Sequence, residues 1–439
     1  MRRDRLVALA AGALLVAGCA GRGPSPQAGA ASPAPHAPVL PLASDAERGL
    51  LPDSPLLRQM LEAQEALRPV LAAAPDYRLQ VVLGVVEERP GGRPVLVQHG
   101  FRAGAEYLYP ASSVKLFAAV AALERLAELR RETGLAITAD TPLVFQPLFE
   151  GEQREDADAS NRAGGKITVA HDVRKIFLVS DNAAFNHLYE LVGPDRLAAT
   201  VEHAGLLGVR IVHRLSEPHT AEENLRLPQI DFVGKGFSHS LPERTDEPLP
   251  PAPALPGLLV GAAVLDNDGR RSEGPMDFAA KNRAPLAVLQ RALCMVVQPE
   301  VDCGAAPDDE KTGFALDEAD RELLLRAMRR LPGESVNPRL DRAEHPDAYV
   351  KFLLPGLRRV IPAERLRLYD KSGQAYGFTL DNAWVVDAAS GKSFFLAAAL
   401  YTNADGVLND DLYDYETVAL PALADVAEAV ARGLMTDRH

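Results

Sequence analysis

Two runs of β-branched and aromatic residues, one towards each end of the chain, constrain its fold more than anything between them. Tyr77–Glu87 and Pro94–Phe101 flank the Pro-Gly-Gly turn at 90–92, which predicts a hairpin. Leu366–Lys371, Gly377–Asp387 and Ser393–Tyr401 predict three more strands, the last two joined by a turn at Ala389–Lys392. Short connections between neighbouring strands favour antiparallel pairing. The expected fold class is α/β of the α+β type. Its antiparallel sheet is formed by the N- and C-terminal parts and packed with helices, with an all-helical region between.

Helical patterns fill the middle. Residues 55–73 read as a helix capped by Asp53 or Ser54, with Pro55 in its first turn. A long Ala- and Leu-rich helix is predicted from Ser112 to about Glu132. Others cover 167–178, Ala183–Leu191, Pro194–Ala204, Phe278–Met295 (interrupted near Pro285), Asp317–Arg330 and Tyr415–Arg432. Residues 209–260 are polar and Pro-rich and read mostly as loop, and Leu258–Leu265 as helix or buried segment. The folded domain is expected over 45–439. Its helical subregion spans about 112–360, with insertions at about 134–166 and 220–360.

The start of the chain has the pattern of an export signal. Arg2, Arg3 and Arg5 precede a short apolar run that ends at Leu15-Val-Ala-Gly-Cys19. This resembles a bacterial lipoprotein signal, which implies a signal peptide over 1–18 and lipidation of Cys19. The plainer reading is a secretory signal with an incidental Cys. Residues 19–44, rich in Ala and Pro, then form a tether. Ala20 after the Cys implies, by the same resemblance, the outer membrane of a Gram-negative bacterium, with the domain on the periplasmic side. Export also permits a disulfide between Cys294 and Cys303, or else two separate thiols. The net charge of -13, without a basic stripe, excludes nucleic acid as a natural partner. Neither a metal nor a cofactor is expected, and the chain reads as a monomer.

Three polar clusters carry the chemistry: Ser112-Ser-Val-Lys115, Ser180-Asp181-Asn182 and Lys371-Ser372-Gly373. Ser112 and Lys115 are three apart, so a helix places them on one face. Alone, such a pair is common. Together and in this order, the clusters resemble the active-site set of penicillin-recognising serine enzymes. The chain is similar to the class A serine β-lactamases and, more distantly, to the penicillin-binding transpeptidases. The resemblance implies Ser112 as nucleophile, Lys115 as its base, Ser180 as a proton relay and Asn182 as a substrate-amide ligand or a support for Lys115. Lys371 and Ser372 would bind a substrate carboxylate, with Gly373 among the substrate-binding residues. The backbone N–H groups of Ser112 and of Ala375, two residues after Gly373, would hold the oxyanion. Lys115 can act as a base only if burial or a cation lowers its pKa, and Lys371 is the candidate cation.

A fourth match is Arg214-Leu-Ser-Glu217-Pro218, with one extra residue between Arg and Glu. Glu217 is then the candidate base for deacylation, against the plainer reading of a loop carboxylate. The family's Asn four residues later is Ala221 here, and the nearest Asn is Asn224. These residues predict a serine hydrolase acting on a β-lactam or related amide. The alternatives are a D-Ala-D-Ala peptidase or transpeptidase of the cell wall, and a non-catalytic lipoprotein binding module. Of the remaining residues, His213 and His219 flank Glu217 and read as surface loop histidines, with the alternative that one of them joins the site, and His171 reads as structural. Trp384 reads as packing and Asp370 as a partner of nearby backbone or of a positive group. Tyr107 or Tyr109 could line a cleft.

Overall fold

The computed structural model describes residues 41–266, 268–304 and 313–435. The export signal, Cys19 and the tether as far as residue 40 lie outside them. No helix among the described residues is long and apolar enough to cross a membrane.

The sheet has six strands, all antiparallel: β1 (Gln80–Glu87), β2 (Val95–Phe101), β3 (Leu366–Asp370), β4 (Gly373–Ala375), β5 (Phe378–Asp387) and β6 (Ser393–Tyr401). Spatially, β3 and β4 lie end to end beside β5, followed by β6, β1 and β2. The C-terminal strands, which start 265 positions after the hairpin ends at Phe101, therefore complete its sheet, through the β1–β6 register Val82↔Ala397. Alternation along each strand divides the core between the two faces. Val82, Phe395, Ala397 and Ala399 face one side, while Val81, Leu83, Leu396 and Ala398 face the other.

Helices cover both faces. On the second face lie α1 (Pro55–Glu62) and a long C-terminal helix, Leu420–Met435. The helix expected over 55–73 breaks after Glu62, where Gln64 turns extended (ψ 105°), and a separate short helix at 68–72 carries Pro69 in its first turn. On the first face lie α2 (Lys115–Thr133), α3 (Val169–Leu178), α4 (Asn182–Val192) and α5 (Leu286–Val297). Every residue of α2 from Lys115 to Leu123 is buried, as its all-round apolar composition requires. Helix α5 starts later than the predicted 278, because Pro285 caps it with extended backbone. It packs against β1, β5 and β6, so the 220–360 stretch supplies part of the central core rather than a single insertion. Cys294, on α5, is bonded to Cys303.

One reading of the middle region needs correction and another gains detail. Residues 209–260 are largely loop, as expected, but Ile230–Gly234 and Phe237–Leu241 pair with Leu143–Phe145 in a small antiparallel sheet, which joins the two supposed insertions. Residues 258–265 are neither helix nor one segment. Leu259–Val260 pairs with Met276–Asp277, and Ala263–Leu265 with Arg271–Glu273, because Gly261 (φ 80°) turns the chain between them.

His187 on α4 pins the 143–165 segment to the helices. Its Nδ1 lies 3.2 Å from Asp172 and its Nε2 3.2 Å from Glu155, while its ring stacks on Phe145. Burial pushes the imidazole pKa down, but Asp172 and Glu155 outweigh it and raise it to about 10. The pKa is therefore higher folded than unfolded, so this contribution is complete below about pH 6.5 and disappears as pH rises towards 10. Thermal unfolding between pH 6 and 10 should show the melting temperature falling across that window in the native protein. The fall should be shallower in His187→Gln, and equal slopes would refute the assignment.

Candidate active site

Ser112 does not lie on α2 itself. It sits on a 3-10 turn, Ala111–Val114, that leads into α2 at Lys115. Gly373 on the facing strand explains how this turn comes so close to the sheet. A Cβ there would meet Pro110 O at 2.5 Å and the Ser112 and Ser113 nitrogens at 3.0 Å. Only glycine lets the Lys371-Ser372-Gly373 strand lie directly on the Ser112 turn.

The two lysines meet at Ser180. Lys115 Nζ donates to Ser180 O (2.5 Å), Asp181 O (3.2 Å) and Asn182 Oδ1 (2.6 Å), and lies 3.4 Å from Ser180 Oγ. Lys371 Nζ donates to Ser180 Oγ (3.1 Å) and Ser372 O (2.6 Å). Asp181 caps α4 through Ala184 N–H, which fixes the Ser-Asp-Asn turn. Burial drives the Lys115 pKa well below that of a free amine, and Lys371 adds to this, while Asp181 acts the other way. Lys371 falls to about 7, chiefly through burial, with Asp370 and Asp381 opposing. An amine able to accept a proton near neutral pH follows from this environment.

A second set of bonds ties the Glu217 loop to the same helix. Asn182 Nδ2 donates to Ser216 Oγ (2.7 Å), so one amide bridges Lys115 and the loop. Asn186, one turn further along α4, donates to Glu217 Oε1 at 2.6 Å. His219 Nε2 lies 3.1 Å from Glu217 Oε2. Behind them, buried Arg214 pairs with Glu190 (2.8 Å) and donates to Arg226 O (2.9 Å), which closes the base of the loop. Ser112, Asn182, Glu217, Ala375, Tyr376 and Lys281 all line one cleft of about 830 Å³.

The rim of this cleft is strained. Five of the eight described non-glycine residues with positive φ line it: Ala111 (45°), Ser216 (58°), Tyr376 (54°), Asn409 (65°) and Asp411 (60°). Each such conformation costs about 1–3 kcal/mol and persists only where the surroundings enforce it.

Several sequence-derived roles change. The Ser372 hydroxyl is buried and donates to Val350 O, so it is not presented to a substrate carboxylate. That leaves Lys371 without its expected partner, and half-buried Lys281 lines the cleft, resting over the Tyr376 ring. His213 is not a loose surface side chain: it lines the cleft, with Nδ1 2.5 Å from Arg214 O and Nε2 accepting Asn282 N–H at 3.2 Å. Burial lowers its pKa to about 4, so it is neutral at physiological pH. His219 is likewise no free surface group, since it faces Glu217. Asn224 is buried and holds Arg214 N–H and the His219 and Thr220 carbonyls, which commits it to loop structure. Ala221 is exposed on the first turn of a short helix. His171 is fully buried against Ser160, and Trp384 packs between Tyr369 and Phe395. Tyr109 lines the cleft, whereas Tyr107 donates to Asn282 O in the core. Asp370 pairs with buried Lys351 behind the strand.

Asn186 and Lys351 escaped the sequence reading. Asn186 was within reach of it, standing four residues after Asn182 and hence on the same helix face. No sequence signal marked Lys351, because it lies in a turn segment that meets Asp370 on β3 only in the folded chain.

The chain has the α/β, antiparallel-sheet architecture of the β-lactamase and transpeptidase type. Residues 98–232 match the Beta-lactamase enzyme family, a stretch that contains Ser112, Lys115, Ser180, Asn182 and Glu217. No curated protein matches the chain significantly. Similar solved structures include a β-lactamase from Desulfarculus baarsii, at 19% identity over 87% of this chain and 98% of that one, TM-score 0.46. A β-lactamase from Streptosporangium roseum is 17% identical over 84% and 97%, TM-score 0.44. One from Burkholderia ambifaria is 15% identical over 87% and 99%, TM-score 0.45.

Proposed function

We propose that this chain, with its β-lactamase-like segment over 98–232, is a serine hydrolase that acylates Ser112 with a β-lactam or a related amide. One observation carries the reading: two buried amines, Lys115 and Lys371, converge on Ser180 beside the Ser112 turn. Two desolvated amines are held together at a cost unless chemistry uses them. In the proposed reaction Ser112 Oγ attacks the amide carbonyl as its proton passes to Lys115. The C–N bond then breaks, and the leaving nitrogen is protonated through Ser180, which Lys371 orients. The N–H groups of Ser112 and Ala375 stabilise the oxyanion. Glu217 then takes a proton from water, the hydroxide attacks the ester, and Ser112 Oγ leaves with the returned proton. Lipidation of Cys19 would hold the enzyme on the periplasmic face of the outer membrane.

Incubation with benzylpenicillin, followed by intact-protein mass spectrometry, tests this. The wild type should show a transient adduct on Ser112, and Glu217→Ala a persistent one. No adduct in either protein would refute acylation. A second reading, a cell-wall D-Ala-D-Ala peptidase or transpeptidase, is favoured by exposed Ala221 and committed Asn224, which leave the water site without its expected amide. It predicts an equally stable adduct in both proteins.

A further inference from the structure

If Glu217 is the hydrolytic base, something must fix its carboxylate where the family's Asn is replaced by Ala221. The geometry points to His219 as that positioning residue, which holds Glu217 for attack of water on the Ser112 ester. The inference rests on the reading above and extends it to a residue outside the three motifs.

Its setting is constructed rather than incidental. The His219 side chain is only 16% exposed, and its ring stacks on Phe149 at 4.6 Å and 29°. Phe149 is itself covered by the Arg214 and Arg226 guanidiniums. The ring orientation is therefore set by packing, and Nε2 is aimed at Glu217 Oε2 at 3.1 Å. On its other side Nδ1 lies 3.7 Å from Glu223 Oε2, and Glu223 is fixed by a capping box with Thr220. The charged groups facing the imidazole are thus Glu217 and Glu223, with Arg214 3.9 Å from Glu217 behind them. Asn186 holds the other oxygen of Glu217. Between Asn186 and His219 the carboxylate has each oxygen bonded once. One lone pair on each remains for a water, in a loop that Asn182 ties through Ser216 to the Lys115 site. During deacylation the water proton moves to Glu217, the ester C–O bond to Ser112 breaks, and that proton returns to Ser112 Oγ. His219 takes no proton in the balance and acts only through Glu217.

The test uses the full chain as wild type, His219→Ala and His219→Gln, labelled with benzylpenicillin. Formation and loss of the Ser112 adduct are followed by mass spectrometry at pH 7. A hydrogen bond to a charged group is worth roughly 10- to 100-fold in rate. His219→Ala should acylate at the wild-type rate and lose its adduct slower by about that factor. His219→Gln keeps a donor, so it should recover to within about threefold at pH 7. A purely structural role would slow acylation too and would not be rescued selectively by the variant that keeps the donor. Adduct lifetimes equal in all three proteins overturn the inference while leaving acylation intact, whereas absence of any wild-type adduct overturns both. If His219→Ala fails to fold, His219→Phe, which keeps the stacking on Phe149 but has no donor, takes its place, and a wild-type adduct lifetime in that variant refutes the role.

Discussion

Lys115→Met should slow benzylpenicillin labelling of Ser112 by about 10²–10⁴-fold, the range that positioned general bases contribute. The methionine matches the stem length and suits a site with no solvent exposure, so the fold should survive. The substitution does strand the acceptors now satisfied by Nζ, chiefly Ser180 O and Asn182 Oδ1. Released from Lys115, Asn182 still has Ser216 as a partner, which should keep the Glu217 loop in place. The effect should therefore fall on adduct formation, and any adduct formed should be lost at close to the native rate. Quench-flow mass spectrometry gives both rates, and near-UV circular dichroism checks the packing. Labelling within tenfold of wild type in a folded variant would remove Lys115 as the base. The pH dependence has a defined sign: burial and Lys371 depress the Lys115 pKa, so the wild-type rate should rise with pH through that pKa and level off above it.

The largest effect on stability is expected behind the sheet. Lys351 is 1% exposed, pairs with Asp370 and donates to Met328 O at 2.6 Å. Its neighbours bind the same strands: Val350 O accepts from Ser372, and Leu353 N–H donates to Asp381 Oδ2. Burial raises the pKa of both Asp370 and Asp381, and the adjacent Asp370 raises that of Asp381 further, while Lys351 pulls both down, so the two carboxyls form one coupled set facing Lys351. Removing one partner of such a buried pair costs about 3–5 kcal/mol, because the other charge is left unpaired. Lys351→Met should lose stability on that scale in urea titration at pH 7, and Lys351→Met/Asp370→Asn should regain most of it. A single variant within about 1 kcal/mol of wild type, the worth of an exposed pair, would show that the pair is unimportant.

The strands and the Ser112–Ser180–Lys371 set were legible because their signals are local. Strand alternation, turn residues and short polar clusters are each read within about ten residues. Sheet completion by β5 and β6 followed from the need of β1 and β2 for partners. What the sequence hid depends on distant pairing. Leu143–Phe145 has little strand signal of its own and becomes a strand only against Ile230–Gly234. The direction of the Ser372 hydroxyl depends on Val350, 22 residues away. The role of His219 depends on how tightly the loop turns, and that turn is made by Ser216 in a left-handed conformation that composition does not announce.

That left-handed backbone has a consequence for how the molecule can be altered. Ala111, Ser216, Tyr376, Asn409 and Asp411 adopt conformations that glycine takes without strain, and they surround the place where a substrate would sit. Heat tolerance and reactivity are consequently linked at the mouth of the cleft. Relaxing those bends would favour a more robust protein with a blunter site, and selection for robustness alone would act first on the residues nearest the chemistry.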